Sequence, residues 1–109
     1  MSKAFTRFLR LKHSLQIDPV ELDFTAIKLL EVCEMNSSSG QRMTVSDAMK
    51  LNKIASPATI HRKLYQLIES GYLSLEFEGK NRRTKYLTLT KKSEEYFTKL
   101  SALIKQSTR

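Results

Sequence analysis

Residues 56–90 (SPATIHRKLYQLIESGYLSLEFEGKNRRTKYLTLT) constrain the fold of this chain more than any other stretch. Ser56 followed by Pro57 is typical of a helix start, because a serine side chain caps the first turn and proline fits the first helical position. Gly71 predicts the end of this helix, since glycine readily adopts the left-handed conformation that follows a last turn. The stretch therefore begins with one well-bounded helix that extends to about Ser70.

The second part of the stretch predicts a β-hairpin. Apolar and polar residues alternate over 73–77 and again over 87–89, as they do in strands with one buried face. The loop between these strands is basic, and its candidate DNA-binding residues are Lys80, Asn81, Arg82, Arg83 and Lys85. A helix beside a cationic hairpin suits a double helix, because the helix can enter a groove while the hairpin reaches the neighbouring phosphates.

Apolar residues at helical spacing predict three more helices before this stretch, over residues 3–16, 23–35 and 46–52. Asp23 and Ser46 stand where their side chains would cap the second and third of these helices. Residues 36–41, with the sequence NSSSGQ, have the composition of a loop. A last helix is predicted to begin at Thr90 or Ser93.

This order of elements predicts a fold class that is mainly α with a small β-hairpin wing. The specific expectation is a winged helix-turn-helix with N- and C-terminal dimerisation helices. The chain of 109 residues is about the length of one domain. We expect it to consist of an N-terminal helix (1–17), a winged helix-turn-helix core (22–90) and a C-terminal helix (91–109).

Positive charge is concentrated on the predicted helix and wing. The formal net charge is +8. Residues 53–92 carry nine basic and three acidic side chains, whereas residues 14–52 carry three basic and six acidic ones. Charge that served solubility alone would not need to segregate by sign. The asymmetry therefore indicates a polyanionic partner, of which nucleic acid is the commonest.

The helix that starts at Ser56 has two chemically different faces. The buried face is predicted by apolar residues at helical spacing, which are Ile60, Leu64, Leu67 and Ile68. The other side carries groups that suit base edges, since arginine pairs with guanine, glutamine with adenine and threonine with either. The candidate DNA-binding residues of this helix are Ser56, Ala58, Thr59, Arg62, Lys63 and Gln66. Lys63 lies at the rim, where a phosphate is the expected contact.

These residues give the chain a resemblance to the MarR family of bacterial and archaeal transcription regulators, over about residues 22–97. Residues 44–52 resemble the first helix of the family's helix-turn-helix pair, and residues 59–62 (TIHR) are similar to its recognition-helix core. Asn81-Arg82-Arg83 stands where the family usually has Asp-x-Arg in the wing. The resemblance implies that Arg83 enters the minor groove, although Asn81 lacks the carboxylate that would brace this arginine.

The terminal helices bear on assembly. The first helix carries an apolar stripe wider than one small domain easily covers, and the last helix adds two aromatic residues on a narrow stripe. In the MarR family such helices intertwine into a two-fold dimer. The candidate dimer-interface residues are Phe5, Phe8, Leu11, Leu15, Tyr96, Leu100, Leu103 and Ile104. The alternative is that these helices pack on their own domain. A homodimer would place two recognition helices about one DNA turn apart on a pseudo-palindrome.

Other chemistry is poorly supported by the sequence. The single cysteine, Cys33, cannot form an internal disulfide and lies on the apolar face of its helix, which indicates a core thiol in a reducing compartment. No apolar run approaches the roughly 20 residues of a membrane span, and the N-terminus lacks a signal-peptide core. His13 and His61 have no ligand-spaced partners. We expect a cytoplasmic protein that is not an enzyme and that needs no metal or cofactor.

The sequence thus predicts sequence-specific binding to double-stranded DNA by a homodimeric transcriptional regulator, acting as a repressor that occludes a promoter. A small-molecule effector is compatible with the family but is not indicated by the residues. Two alternatives stay open. One is a winged-helix module that binds a protein partner, and the other is a phage or plasmid accessory factor that binds DNA without a regulatory role.

Overall fold

The computed structural model describes residues 3–16, 19 and 21–108, apart from the side chain of Asn81. The helices over these residues are α1 (Lys3–Leu15), α2 (Phe24–Ser38), α3 (Val45–Met49), α4 (Pro57–Glu69) and α5 (Lys91–Ser107). The strands are β1 (Met43–Thr44), β2 (Leu73–Glu78) and β3 (Asn81–Leu89). A helix-turn-helix pair, α3 and α4, is followed by a β-hairpin, so the predicted winged-helix fold class is confirmed.

The ends of α4 follow the local signals in the sequence. The Ser56 side chain caps the helix by accepting the backbone N–H of Thr59 at 3.3 Å, and Pro57 occupies the first turn. At the other end, Gly71 has φ of 84°, a value that only glycine adopts at little cost. The helix is therefore bounded on both sides by residues whose effect is local.

The second helix begins as predicted but ends later. Asp23 caps α2 by accepting the backbone N–H of Ala26 at 2.9 Å. The helix then continues to Ser38, so the prediction of a loop from residue 36 was wrong by one turn. Polar side chains support this extra turn from within, since the Asn36 amide donates to the Val32 carbonyl oxygen at 3.0 Å and Ser38 donates to the Glu34 carboxylate at 3.1 Å.

The start of α3 was also predicted wrongly. Its cap is Thr44, not Ser46, and the helix ends at Met49 rather than at residue 52. Thr44 Oγ1 accepts the backbone N–H of Asp47 at 3.0 Å, while Asp47 Oδ2 accepts the backbone N–H of Thr44 at 3.1 Å. This reciprocal capping box satisfies two otherwise unpaired donors, whereas Ser46 would satisfy one at most.

The sheet has three antiparallel strands in the order β1–β3–β2. Leu87 on the central strand lies opposite Met43 of β1 and Leu75 of β2. The sequence did not predict β1, because its two residues are too few to show an alternating pattern.

The hairpin turn is also tighter than predicted. β3 already begins at residue 81, so Arg82, Arg83 and Lys85 project from a strand and not from a flexible loop.

The core lies between the helices and one face of the sheet, where α2 packs against α4 and β3. Of the residues predicted for the inner face of α4, Ile60, Leu64 and Leu67 are fully buried there, and Ile68 is half-buried against them. The large side chains with almost no exposure are Leu29, Leu30, Ile60, Leu64, Leu67 and Leu73. Cys33 is buried in the same cluster, and burial raises the pKa of its thiol to about 12. The interpretation of Cys33 as a core thiol is confirmed.

The terminal helices pack on each other within the chain. α1 runs against α5, and α5 joins the core through Tyr96, which is buried, and Phe97, which is half-buried. The Cα radius of gyration is 15.3 Å, above the roughly 13 Å of a compact domain of about 100 residues. The molecule is elongated, with principal extents of 48 × 27 × 24 Å. The two helices therefore expose more surface than they would in a compact domain.

Thr90 links the wing, the end of α4 and the start of α5. Its side chain accepts the backbone N–H of Ser93 at 3.3 Å and donates to the Gly71 carbonyl oxygen at 2.6 Å. We expect Thr90→Ala to lower the free energy of unfolding by about 1–2 kcal/mol, because both a helix cap and a long-range hydrogen bond are lost. Urea denaturation measures this. Thr98→Ala, at an exposed position inside α5, is the matched control, and an equal loss in both variants would contradict the assigned role.

Candidate nucleic-acid interface

The outer side of α4 is exposed in its N-terminal half and carries the cation Arg62. Ser56, Ala58 and Arg62 are exposed, and Thr59 is half-buried with its hydroxyl accepting the Ser56 hydroxyl at 3.1 Å. The buried residues of α4 hold this side outward, because they fix the rotation of the helix against the core. Four of the six residues predicted to bind DNA on this helix are thus brought together on one accessible surface.

The other two predicted residues are placed differently. Lys63 forms an ion pair with Asp23, and the Gln66 amide donates to the Glu21 carbonyl oxygen at 2.9 Å. The Lys63 ammonium, followed by the Ala26 backbone N–H, holds the pKa of Asp23 below its ordinary value. Both side chains lie on the flank of α4 that meets the segment before α2, where they are engaged within the chain and not free as the DNA contacts predicted from the sequence.

His61 and Tyr65 form a second feature of the exposed side, which the predicted set omits. Their rings pack with centroids 4.7 Å apart, and His61 is exposed beside Arg62. The spacing of four residues along one helix was the available signal, because such pairs face each other on a helix surface. An imidazole on this surface offers hydrogen bonds to bases or phosphates.

The wing carries its cations on a rigid strand. The Arg82 guanidinium lies over the Phe77 ring at 5.1 Å, which anchors its stem on the neighbouring strand. Lys80, in the hairpin turn, and Arg83 and Lys85, on β3, are exposed. Because α4 packs against β2, the cationic strand β3 and the exposed side of α4 belong to one rigid unit.

Arg42 adds a cation that the sequence analysis did not single out. Its guanidinium lies 4.2 Å from the centre of the Tyr86 ring and 3.5 Å from a Glu76 carboxylate oxygen. The Tyr86 hydroxyl donates to Glu78 at 3.0 Å, and this hydrogen bond raises the pKa of Tyr86. Arg42 is thus engaged within the chain and supports the sheet between β2 and β3.

An open cavity of about 440 Å³ lies between the start of α3 and the strand β3. Its lining residues are Thr44, Val45, Ser46, Arg83, Thr84 and Lys85. Two cations and several hydroxyls therefore surround a space large enough for a phosphate group. Hydroxyls and basic side chains are the groups that hold the DNA backbone in protein complexes. The cavity joins the wing to the helix-turn-helix pair as one candidate phosphate-contacting surface.

The predicted dimer-interface residues fall into two groups. Tyr96 and Leu103 are buried within the single chain, and Phe8, Leu11 and Leu100 are half-buried. Phe5, Leu15 and Ile104 remain exposed, by 57%, 58% and 52%. Beside Phe5 and Ile104 is an apolar groove of about 230 Å³ that Phe8 also lines. Part of the predicted set is therefore buried within the single chain, and Phe5 and Ile104 border an accessible apolar groove.

Over the described part of the chain, no three His, Cys, Asp or Glu side chains lie close enough together to hold a metal ion. Within the same ranges, no helix has both the length and the apolar character to cross a membrane.

Comparisons with known proteins connect the chain to others by structure and not by sequence. No protein-family model and no curated protein matches it. Rv1404 from Mycobacterium tuberculosis is similar with a TM-score of 0.65 and 14% identity, over 94% of this chain and 71% of that one. The haem sensor protein PefR from Streptococcus agalactiae, solved with haem, is similar with a TM-score of 0.63 and 17% identity, over 95% of this chain and 72% of that one.

A third similar structure is that of BpsR from Bordetella bronchiseptica, a protein whose DNA binding is regulated by 6-hydroxynicotinic acid. It has a TM-score of 0.57 and 18% identity, over 96% of this chain and 75% of that one. In each case the likeness extends over the terminal helices as well as the core, because it covers nearly the whole of this chain. At these identities the likeness is one of fold, and the fold that this chain has is a winged helix with helices at both ends.

Proposed function

We propose that this protein is a sequence-specific DNA-binding transcriptional regulator of the MarR type, which represses by occluding a promoter as a homodimer. One observation carries the proposal: the exposed side of α4, with Arg62, and the cationic strand of the wing, with Arg82 and Arg83, belong to one rigid unit. A helix that reads bases and a wing that holds the backbone need this fixed relation. The DNA binding named for BpsR, which has a similar fold, supports it.

In this proposal the N-terminal half of α4 enters the major groove. Arg62 pairs with a base, while Ser56, Ala58 and Thr59 lie along the same edge. The cations of β3 contact the flanking backbone, with Arg83 directed to the minor groove as the MarR resemblance implies. The cavity between α3 and β3 receives a phosphate.

The proposed dimer uses the accessible apolar surface of the terminal helices. Phe5 and Ile104 are exposed and line an apolar groove, and exposed apolar residues of this kind mark an interaction surface. Leu15, further along α1, is also exposed. A second copy packed there would bury these side chains. Two copies of α4 would then face half-sites about 34 Å apart, one turn of DNA.

A protein-interaction role is the second candidate, because one observation favours it. Phe24 and Met35 are 77% and 62% exposed on the outer side of α2. They lie on a different helix from the cationic surface of α4. A protein partner bound to α2 is therefore compatible with DNA binding by α4. If this chain does not bind duplex DNA, protein interaction is its sole role.

The salt dependence of duplex binding tests the proposal. We expect log Kd to rise with log salt with a slope of about 4 or more per bound dimer, since each neutralised phosphate contributes about 0.9. The double variant Arg82→Gln, Arg83→Gln should lower that slope by about 1.8 per chain. The matched control is Lys91→Gln, Lys99→Gln, which removes the same charge from exposed positions of α5. Flat salt dependence, or an equal effect of both pairs, would overturn the electrostatic contact.

A further inference from the structure

Lys63 lies next to Arg62 on α4, the helix proposed to read bases, but its charge is paired inside the chain. Its ammonium donates to the Asp23 carboxylate, and its side chain is 18% exposed, compared with 49% for Asp23. Asp23 also caps α2 through the Ala26 backbone N–H. The carboxylate is therefore fixed in place by a second contact, which keeps it beside Lys63.

The segment that carries Asp23 is itself tied to three other elements. The Glu21 carbonyl oxygen accepts the Gln66 amide at 2.9 Å, and the Glu21 carboxylate accepts the Tyr72 hydroxyl at 3.0 Å and Lys92 Nζ at 3.4 Å. Lys92 Nζ also donates to the Ser70 carbonyl oxygen at 2.7 Å. The contacts of Glu21 thus connect the segment to α4, to the start of β2 and to the start of α5.

A paired ammonium contributes little to DNA affinity. Release of counterions from DNA requires a protein cation that neutralises a phosphate, and Lys63 already neutralises a carboxylate. If Lys63 moved to a phosphate, it would leave Asp23 close to the negative backbone, so the gain would be offset by repulsion. The Asp23 carboxylate therefore acts on Lys63 as a substitute for phosphate.

We propose that Asp23 and Lys63 form an autoinhibitory latch on the reading helix, in which Asp23 withholds Lys63 from the DNA backbone and Glu21 anchors the segment that carries it. The latch rests on the proposed DNA-binding function and concerns the regulation of the same surface.

The test compares Asp23→Asn with the unaltered protein on a duplex that lacks any operator. Asparagine caps a helix as well as aspartate does, so α2 keeps its start while the charge on Lys63 is freed. We expect the slope of log Kd against log salt to steepen by about 0.9 per bound chain. Between 50 and 200 mM salt, affinity should then fall about 3.5-fold more than it does for the unaltered protein. Glu31→Gln, which removes one negative charge from an exposed position of α2, is the control.

The substitution Lys63→Gln is the second variant of the test. In the Asp23→Asn background it should return the steepened slope to its original value, because neither the freed ammonium nor an unpaired carboxylate then remains at this position. A double variant Asp23→Asn, Lys63→Gln that keeps the steepened slope, or an Asp23→Asn variant that matches Glu31→Gln, would overturn the latch while leaving the proposed function intact. Absence of duplex binding by the unaltered protein would instead overturn the proposed function, and the latch with it. Thermal unfolding of each variant verifies that the fold persists.

Discussion

Ile104→Lys is expected to convert the protein from a dimer to a monomer and to weaken binding to a two-half-site operator by about 100-fold or more. Ile104 is half-exposed at the edge of the apolar groove between α1 and α5. A lysine there remains hydrated in the monomer, so the chain should stay folded. In the proposed dimer the same charge would lie in an apolar seam, where an unpaired charge is strongly destabilising. Sedimentation and operator titration measure the two effects.

The choice of position 104 depends on the structure. Leu103, its neighbour, lies on the same predicted stripe but is buried against the rest of its own chain. A charge at Leu103 would disrupt the monomer, and loss of DNA binding would then say nothing about assembly. Ala102→Lys, at an exposed position of the same helix, adds the same charge and is the matched control. If the unaltered protein is monomeric at tens of micromolar and binds one half-site with full affinity, the dimer is refuted.

Arg62→Ala is expected to remove discrimination at one base position of each half-site and to cost about 1–3 kcal/mol for the preferred sequence. Arg62 is exposed on the outer side of α4, between the helix start and the half-buried Tyr65. A bidentate contact to guanine explains such a cost, because arginine presents two parallel donors to the base. Selection of bound duplexes from a random pool gives the preferred motif, and titration of single-base variants gives the discrimination.

Lys80→Ala provides the contrast for Arg62. Lys80 is exposed in the hairpin turn and is expected to contact phosphate, so its loss should weaken all sequences about equally. If Arg62→Ala also weakens every sequence to the same degree, Arg62 holds the backbone and base reading lies elsewhere on the helix. Thr59 and the exposed His61 are then the next positions to test.

Much of the candidate site could be predicted because its signals are local. The cap at Ser56, the glycine at 71 and the periodicity of Ile60, Leu64 and Leu67 each depend on residues within a few positions. They determine that α4 exists, where it ends and which face is buried. The exposure of Arg62 follows directly, because a helix with one side fixed against a core leaves the opposite side accessible.

The state of the polar side chains on the flank of α4 was decided by tertiary structure. Lys63 and Gln66 have no local partner, and their contacts come from residues 23 and 21, about forty positions earlier in the chain. A periodic pattern assigns a side chain to a face but does not show what packs beside that face. The sequence therefore indicated two free DNA contacts where the fold supplies an ion pair and a hydrogen bond.

The sequence by itself determined the order of the helices, the hairpin and the basic character of its wing. Helix caps, the alternation of apolar and polar residues, and local charge each depend on residues close together in the sequence. Only the tertiary structure decided that Met43 and Thr44 pair with β3, that α1 lies along α5, and that Leu103 is buried while Ile104 is exposed. These features join residues far apart in the chain. They form because an unpaired strand edge and an exposed apolar stripe each need a partner segment. Several segments of this chain have a similar character, so the sequence alone does not show which one becomes the partner.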